Sequence, residues 1–329
     1  MTEPEELRDE LAAVVGEDLG ATVRIEDLEP LVGGASRELW SFDLVVGEER
    51  RKCVLRRDPE GVEDPAGRRR EWEVLRAAYD GGVAVPEPLW FVESDRGAGF
   101  VMERLEGEAI ARRLLRDDRY ASARDRLTGQ LAAAAARTHA IPLAELPSVE
   151  VPPGAPAEAG VAALEAELDR VGEPHPALEL GLRWLRRHLP EPVAPGLVHG
   201  DFRTGNFLVD EGGLVAALDW ELCHAGDPVE DLGWLCIRSW RFGADDRPAG
   251  GFGSRDELLE TYAAAGGRQV TREELRFWEV FGNVRWGVIC LVQADVHLSG
   301  RQQSLERAAI GRRTCGTCLW SSAQRTFSL

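Results

Sequence analysis

The stretch His199-Gly200-Asp201-Phe202-Arg203-Thr204-Gly205-Asn206 decides the fold, and Asp219-Trp220-Glu221 follows it thirteen residues later. Transfer of a phosphoryl group requires a carboxylate beside the attacking hydroxyl, an amide and a carboxylate on magnesium, and a cation on the phosphate oxygens. The quoted residues include one side chain for each of these tasks: Asp201, Asn206, Asp219 and Arg203. The pattern therefore indicates a site for phosphoryl transfer.

The spacing of these residues, H-x-D-x-x-x-x-N and then D, is similar to the catalytic loop and the metal-binding aspartate of kinases. Gly200 stands where protein kinases carry Arg, and Asp219-Trp220-Glu221 stands where they carry D-F-G. The segment resembles the aminoglycoside phosphotransferase family, part of the kinase-like superfamily with choline, homoserine and macrolide kinases, and the whole chain can be laid on that pattern. A chance match in an acidic loop is the alternative, and it requires motif, spacing and the flanking hairpin to agree by coincidence.

The resemblance implies an α+β, bilobal, protein-kinase-like fold with a five-stranded antiparallel small lobe and a mainly helical large lobe. We expect the small, nucleotide-binding lobe at residues 1–105, and the large lobe with the catalytic loop and the acceptor site at residues 106–329. Strand-like stretches between glycine turns predict strands at 26–32, 38–46, 50–57, 88–93 and 99–102. Apolar residues at helical spacing predict helices at 4–19 and 67–79.

Helices also account for most of the large lobe. The sequence predicts them at 121–139, 158–171, 176–188, 228–240, 254–265 and 271–299. A strand-turn-strand hairpin at 207–218 is the context that holds Asn206 and Asp219 over one metal site. The segment 312–329 has weak periodicity, and the sequence predicts no structure for it.

The resemblance implies that ATP or GTP lies between the lobes together with Mg²⁺. The turn Gly33-Gly34-Ala35-Ser36 would cover the phosphates, because small residues let backbone N–H groups approach phosphate oxygens. The segment after the last strand of the small lobe would form the hinge, where backbone groups face the nucleotide base. The candidate contacts in the turn and the hinge are Gly33, Gly34, Ser36, Met102, Glu103 and Leu105.

The motif Cys53-Val54-Leu55-Arg56 resembles the V-A-I-K motif of the third kinase strand, with Arg in place of Lys. By this resemblance Arg56 contacts the phosphates and pairs with Glu71 on the following helix. A planar guanidinium can hold both a phosphate and a carboxylate. Lys52, the only lysine of the chain and on the same strand face, is the alternative cation, and Glu73 is the alternative acid.

The resemblance also implies roles for side chains of the large lobe. Asp201 and Arg203 are the expected catalytic residues: Asp201 orients the acceptor hydroxyl or accepts its proton, and Arg203 contacts the γ-phosphate. Asn206 and Asp219 are the expected Mg²⁺ ligands. Glu221 follows closely enough to touch an acceptor or a water molecule.

Other residues near the motif are expected to be structural. Asp227 and Asp231 resemble acids of the family that brace the catalytic loop or cap a helix, and His139 resembles a structural histidine. A group of aromatic residues either lines an acceptor pocket or packs between helices, and we prefer packing. The group consists of Trp234, Trp240, Phe277, Trp278, Phe281 and Trp286.

Composition limits the partners. The formal net charge of −18 argues against nucleic acid and anionic membranes, because both require clustered cations. No apolar run approaches the roughly 20 residues of a membrane span, and residues 1–10 lack the basic and apolar blocks of a signal peptide, so we expect a cytoplasmic protein. The six cysteines suggest reduced thiols, and Cys315-Gly316-Thr317-Cys318 lacks the second pair that a zinc site requires.

These observations favour a nucleotide- and Mg²⁺-dependent kinase that acts on a hydroxyl of a small molecule, bound between the catalytic loop and the helices at 141–195 and 271–299. The chain looks most like a branch of aminoglycoside phosphotransferases with relatives joined to acyl-CoA dehydrogenases, so a hydroxyacyl or amino-alcohol acceptor is an alternative to an aminoglycoside. A catalytically inactive nucleotide-binding module is a second alternative, which the presence of Asp201, Asn206 and Asp219 disfavours. A protein kinase is a third, which the missing A-P-E element disfavours.

Overall fold

The computed structural model describes residues 3–31, 38–58, 64–94, 97–301 and 304–311. These residues form the expected α+β, bilobal kinase-like fold, with an antiparallel sheet in the N-terminal part and helices in the C-terminal part. The expected phosphate-covering turn with Gly33, Gly34 and Ser36 lies outside the described residues, as does the segment 312–329 with its C-x-x-C motif. Among the described helices, none combines the length and the apolar character that a bilayer span requires.

Five antiparallel strands form the sheet of the small lobe. They are β1 (Val23–Pro30), β2 (Glu38–Val46), β3 (Glu49–Arg57), β4 (Pro88–Ser94) and β5 (Gly97–Glu103), arranged in the order β1-β2-β3-β5-β4. Helix α1 (Glu3–Leu19) packs its apolar residues Leu7, Leu11 and Val15 into the core of one sheet face. Helix α2 (Pro65–Asp80) lies against β4 and β5 and starts with a proline after its N-cap residue Asp64.

Side chains of β3 alternate between the two faces of the sheet, as strand geometry requires. Cys53 and Leu55 are buried in the core beneath α1. Arg56 therefore projects from the opposite face, where it meets Glu71 of α2 and Asp219 of the large lobe. The strand thus directs one cation into the junction of the two lobes.

The large lobe consists of helices and two short two-stranded sheets. Its helices are α3 (Ala111–Arg116), α4 (Ala121–His139), α5 (Pro156–Val171), α6 (Pro176–Arg187), α7 (Val229–Cys236), α8 (Arg255–Ala264), α9 (Arg272–Leu298) and α10 (Leu305–Gly311). Strand β6 (Gly196–Val198) pairs with β9 (His224–Gly226), and β7 (Phe207–Asp210) pairs with β8 (Gly213–Ala217). A strand therefore precedes the loop at 199–206, and a hairpin follows it.

Most elements occur close to their predicted positions. Helix α4 has the predicted bounds, and α9 starts where expected because Thr271 and Glu274 form a reciprocal capping box. The predicted helix at 228–240 is wrong at its end: α7 stops at Cys236, because Ile237 is extended, and a short 3₁₀ turn follows at Arg238–Trp240. The sequence misses β9, α3 and α10, which have at most seven residues and therefore too little periodicity.

Helix α9 separates two layers of the large lobe, because it packs on two opposite faces. On one face, Gly282 meets Trp234 of α7. On the other face, Val284 meets Gly181 of α6. The contact with α7 is close, since a Cβ on Gly233 would lie only 2.4 Å from the Cβ of Trp278.

Replacement of Gly233 by alanine is expected to destabilise the large lobe, because the added methyl group overlaps Trp278 and forces α7 away from α9. Overpacking of this kind costs about 1–3 kcal/mol in the free energy of unfolding, which urea denaturation measures.

Gly129→Ala in α4 is the matched control. A Cβ there would lie 3.6 Å from the Cγ2 of Thr261, an ordinary contact. Because alanine favours a helix over glycine by about 1 kcal/mol, this variant should be as stable as the wild type or more stable. Equal urea midpoints for Gly233→Ala and the wild type would contradict the close packing of α7 on α9.

Candidate active site

The loop at residues 199–206, here named the catalytic loop, is anchored by one buried carboxylate. Asp231 on α7 accepts hydrogen bonds from the backbone N–H groups of His199 (2.8 Å) and Gly200 (3.0 Å). Its Oδ2 also lies 3.0 Å from Nε2 of His139, whose Nδ1 lies 2.8 Å from the hydroxyl of Tyr262. Asp231 and His139 therefore brace the loop, which is the structural role that the sequence predicts for them.

These bonds keep Asp231 ionised inside the protein. Burial acts to raise the pKa of its carboxyl group, but the hydrogen bonds from His139 and the backbone outweigh burial and lower the pKa below the ordinary value. His199 is fully buried, and burial lowers the pKa of its imidazole, so the ring is neutral at pH 7. Its Nδ1 accepts a hydrogen bond from the backbone N–H of Asp201 (3.2 Å).

Two further features fix the backbone around the loop. Gly200 has a φ of 82°, and a Cβ there would lie 2.2 Å from the carbonyl oxygen of Leu222. This close approach explains why glycine stands where protein kinases carry arginine. Asp227 accepts a hydrogen bond from the N–H of Val229 (3.0 Å), which agrees with the predicted capping role at the start of α7.

Asp201 is the centre of the hydrogen bonds within the loop. Its Oδ2 accepts a bond from Nδ2 of Asn206 (2.6 Å), and both carboxylate oxygens lie within 3.1 Å of Nε of Arg203. Its Oδ1 accepts a bond from Nε1 of Trp234 (2.8 Å). Arg203 also lies over the ring of Trp240, 4.5 Å from the centroid. Three expected site residues therefore lie together, and Trp234 joins them.

The hairpin of β7 and β8 returns the chain to the catalytic loop at Asp219. The N–H of Leu218 donates to the carbonyl oxygen of Asn206 (2.8 Å), which ties the two ends of the hairpin together. Asp219 adopts a φ of 67°, a left-handed conformation that is uncommon outside glycine. Its side chain is 32% exposed and contacts Arg56 of the small lobe. The carboxylate therefore faces the junction of the lobes.

Arg56 links the two lobes through three carboxylates. Its Nε lies 2.9 Å from Glu71, and its Nη2 lies 2.7 Å from Asp219 and 3.4 Å from Glu221. Burial disfavours the charged guanidinium, but the three carboxylates outweigh burial and raise the pKa of Arg56 above its ordinary value. The structure thus brings Arg56 to Glu71 and also to the expected metal ligand Asp219.

Arg68, which the sequence does not identify as a site residue, holds the second carboxylate oxygen of Glu71, while Arg56 holds the first. Arg68 pairs with Glu71 within α2 and with Asp58 (3.1 Å), and none of the three side chains is more than 3% exposed. Burial raises the pKa of Glu71, and the charges of Arg56 and Arg68 oppose that shift. The signal in the sequence is the spacing of three between Arg68 and Glu71, which places them on one helix face.

The alternative cation and the alternative acid lie outside this network. Nζ of Lys52 lies 3.0 Å from Glu106, and the two side chains are 58% and 70% exposed. Glu73 lies two residues after Glu71, on a different side of α2, where it lines a surface groove. Neither side chain contacts Arg56 through an ion pair among the described residues.

The expected hinge follows β5. Met102 and Glu103 are the last residues of that strand and pair with β3. The N–H of Glu103 donates to the carbonyl oxygen of Glu87 (2.9 Å), and that of Arg104 donates to a carbonyl oxygen of β3 (3.0 Å). Leu105 lies two residues beyond the end of β5, and its backbone forms no hydrogen bond with the rest of the described chain.

The aromatic residues divide into two sets. Phe277, Trp278 and Phe281 are buried in the main core, where they pack between helices as predicted. The second set, here named the tryptophan cluster, consists of Trp234, Ile237, Trp240, Trp286 and Ile289. This cluster adjoins the catalytic loop through the bond of Trp234 to Asp201 and the stacking of Trp240 on Arg203. Packing between helices, which the sequence favours, therefore does not fully account for the residues of the tryptophan cluster.

The described cysteines are reduced and buried, as the sequence predicts: Cys53, Cys223, Cys236 and Cys290. Burial raises the pKa of the thiols of Cys53 and Cys223 to about 12, so both are protonated at neutral pH. They therefore behave as small apolar side chains of the core.

The side chains at the junction fit a magnesium ion that is bound together with phosphates. Asp219 and Glu221 both approach one nitrogen of Arg56, so two carboxylates are concentrated at one position. Asn206, whose backbone carbonyl oxygen is bonded to the N–H of Leu218 next to Asp219, carries an amide oxygen as well, and Mg²⁺ prefers such oxygen ligands. Among the described residues, no group of three or more His, Cys, Asp or Glu side chains is placed to hold a metal ion.

Comparison with known proteins gives one family and several relatives. The chain matches the phosphotransferase enzyme family over residues 27–278. Aminoglycoside 3'-phosphotransferase of Escherichia coli is 29% identical over 196 residues, which cover 56% of this chain and 69% of the relative. Acyl-CoA dehydrogenase family member 11 of Gallus gallus is 30% identical over 200 residues, which cover 55% of this chain and 24% of the relative. The match to acyl-CoA dehydrogenase family member 10 of Mus musculus is 42% identical and covers 19% of this chain and 6% of that relative.

Solved structures share the fold. A protein of Ralstonia eutropha described as a candidate aminoglycoside phosphotransferase superposes with a TM-score of 0.77 at 22% identity, over 96% of this chain and 98% of its own. The complex of APH(2")-IIIa with GDP and kanamycin superposes with a TM-score of 0.63 at 16% identity, over 96% of this chain and 99% of its own. At these identities the likeness is one of fold.

Replacement of Asp231 by asparagine is expected to destabilise the protein strongly. An amide offers one acceptor oxygen where the carboxylate accepts bonds on two, and its NH₂ would meet a backbone N–H. Loss of a buried charged partner costs about 3–5 kcal/mol in the free energy of unfolding. Because folding lowers the pKa of Asp231, the stabilisation is complete above about pH 4 and falls as the pH falls through the lowered pKa. The difference between variant and wild type should therefore narrow in acid.

Asp210→Asn is the control for this measurement. Asp210 also accepts two backbone N–H bonds, from Gly212 (2.7 Å) and Gly213 (3.0 Å), but it is exposed, so water can replace them. We expect a change of at most about 0.5 kcal/mol. Urea titrations at pH 7 and at about pH 3.5 measure both variants. A loss for Asp231→Asn as small as that for Asp210→Asn would show that the carboxylate does not anchor the loop.

Proposed function

The chain belongs to the phosphotransferase enzyme family, and on this premise we propose that it transfers the γ-phosphoryl group of ATP or GTP to a hydroxyl group of a small molecule, with Mg²⁺. The observation that carries the proposal is the convergence of the catalytic loop, Asp219 and Arg56 at the junction of the lobes. Together with Asp201 and Asn206 in that loop, they provide the groups that phosphoryl transfer requires.

The nucleotide would lie between the sheet of the small lobe and the large lobe, beside the segment near residue 105 where the chain passes from one lobe to the other. A protein of the same fold was solved in complex with GDP, which supports the binding of a nucleotide. We assign the contact with the base to the backbone of Leu105, which forms no hydrogen bond within the described chain, with Met102 and Glu103 beside it. The turn with Gly33 and Ser36 would cover the phosphates.

The charged end of the nucleotide would meet Arg56 and the metal ligands. Asn206 and Asp219 would hold Mg²⁺ together with phosphate oxygens. When bound, the ion neutralises charge that develops on the phosphate oxygens. Arg56 would exchange its contact with Asp219 for a phosphate oxygen, while its Nε keeps the ion pair with Glu71. A planar guanidinium can make both contacts at once.

Asp201 would orient the acceptor hydroxyl and accept its proton as the new P–O bond forms and the bond from the γ-phosphorus to the β–γ bridging oxygen breaks, with ADP or GDP as the leaving group. In the structure, Nε of Arg203 donates to both carboxylate oxygens of Asp201. We propose that Arg203 turns to the γ-phosphate when the nucleotide binds, which frees a lone pair on Asp201 for the hydroxyl. The side chain of Arg203 is 25% exposed, so this movement does not require the core to open.

The acceptor would bind beside the tryptophan cluster. The rings of Trp240 and Trp286 are 4.8 Å apart, and Trp286 and Ile289 are only partly buried. Helix α6, which the sequence places next to the acceptor, packs on the opposite face of α9 through Gly181. We therefore place the acceptor on the α7 side of α9, with α6 as support behind it.

Asp201→Asn tests the reaction directly. The variant keeps the size of the side chain and removes its charge, so kcat should fall by about 10²–10⁴ while nucleotide affinity changes little. Asp219→Ala is the matched variant, because loss of a metal ligand should weaken Mg²⁺-dependent nucleotide affinity as well as turnover. Calorimetry with Mg-ATP and Mg-GTP gives the affinities, and turnover is measured with aminoglycosides, macrolides, amino alcohols and hydroxyacyl compounds. Turnover of Asp201→Asn close to that of the wild type would exclude this mechanism.

Measurements on the wild type distinguish a kinase from an inactive nucleotide-binding module. Nucleotide binding without turnover on any acceptor class would favour the inactive module over the kinase.

Arg56 and Lys52 can be separated by a pair of variants. Arg56→Lys keeps the charge but loses the fork that holds Glu71 and a phosphate at once, so the KM for the nucleotide should rise about tenfold, equivalent to about 1.4 kcal/mol. Lys52→Ala removes an exposed charge paired with Glu106, and the KM should stay close to that of the wild type. Steady-state kinetics with the reverse order of effects would move the phosphate contact to Lys52.

A further inference from the structure

Helix α7 holds the catalytic loop at two points that are one helical turn apart. Asp231 binds the backbone N–H groups of His199 and Gly200. Trp234, three residues later, donates a hydrogen bond from Nε1 to Oδ1 of Asp201 at 2.8 Å. Residues three apart lie on one face of a helix. The first contact therefore fixes the backbone of the loop, and the second reaches the side chain that is expected to meet the acceptor.

We propose that Trp234 is a positioning residue, whose indole N–H orients the carboxylate of Asp201 toward the acceptor hydroxyl. This inference rests on the phosphotransferase function proposed above. It assigns the role to the N–H group and not to the bulk of the ring.

The surroundings of Trp234 fix the direction of its N–H. The side chain is buried, and its ring lies 5.4 Å from the ring of Trp240. The guanidinium carbon of Arg285 lies 5.0 Å from the centroid of the indole, and Arg285 is itself paired with Glu230 (2.7 Å). Gly282 of α9 leaves little space, since a Cβ there would lie 3.3 Å from Cε3 of the indole. The ring is thus confined on several sides.

Three side chains donate to the carboxylate of Asp201, and Trp234 differs from the other two. Arg203 is expected to turn to the γ-phosphate, so its bonds to Asp201 change during the reaction, and Asn206 is itself an expected ligand of the metal ion. An indole has one N–H and no acceptor, and the N–H of Trp234 is already bonded to Oδ1. Trp234 is therefore the donor that stays in place when Arg203 turns away, which leaves the remaining lone pairs in a fixed direction.

Trp234→Phe tests the role of the N–H, because it keeps an aromatic ring in the cluster and removes the donor. We expect kcat to fall about tenfold, since a hydrogen bond to a charged group is lost, and the KM for the nucleotide to stay within about twofold. Trp278→Phe is the matched control: its indole is buried and packs against α7, but it belongs to the main core. Its kcat should stay within about twofold of the wild type.

A double-mutant cycle separates positioning from packing. In an Asp201→Asn background, Trp234→Phe should change the residual turnover by less than about twofold, because the carboxylate to be oriented is gone. An equal loss of turnover in both backgrounds would overturn the proposal. A kcat for Trp234→Phe equal to that of the wild type would also overturn it.

A second measurement needs no change at position 234. In protein labelled with ¹⁵N-tryptophan, Asp201→Asn should move one indole N–H proton resonance upfield and speed its exchange with solvent, because a charged acceptor is lost. Unchanged indole resonances would contradict the contact. A wild type without nucleotide binding or turnover would overturn the proposed function and with it the role of Trp234. An active wild type with an unaffected Trp234→Phe would overturn only this inference.

Discussion

The buried carboxylate of Asp231 is the interaction on which the site depends. It satisfies the backbone N–H groups of His199 and Gly200, and His139 on α4 supports it from the other side. A buried carboxylate without donors is costly, and so are buried N–H groups without an acceptor. The carboxylate needs these donors, and the N–H groups need this acceptor. The contact therefore fixes α4, α7 and the catalytic loop relative to one another. The place of Asp201 follows, since it is the next residue along the chain.

Arg56 imposes a second constraint, this time between the lobes. One guanidinium approaches Glu71 on its Nε and both Asp219 and Glu221 on its Nη2. The strand that carries Arg56 and the hairpin end that carries Asp219 are thereby held at the same junction. Two of these carboxylates, Asp219 and Glu221, therefore lie beside one nitrogen of a buried guanidinium at the junction of the lobes.

The sequence misses Arg68, and it names Trp234 only as one of several aromatic residues. Arg68 supports Glu71 from within α2, and Trp234 supports Asp201 from α7. Each lies three residues from a side chain that the sequence does identify, so helical spacing was the available signal. Helical spacing is not sufficient. It places Trp234 on the same face of α7 as Asp231, but it does not show that this face meets Asp201. For the same reason the sequence does not divide the aromatic residues into two sets, although only some of them belong to the main core.

The sequence by itself determined the family, the bilobal kinase-like fold and the set of groups that lie around the catalytic loop, and the first two are confirmed. It could do so because these features depend on local spacing: eight residues hold Asp201 and Asn206 in one loop, and a short hairpin returns Asp219 to it. Only the tertiary structure placed Arg56 rather than Lys52 against Asp219, and only it separated the tryptophan cluster from the core. Arg56 and Asp219 are 163 residues apart in the chain. Contacts over such separations are decided by how whole elements pack, and no local pattern of residues encodes that packing.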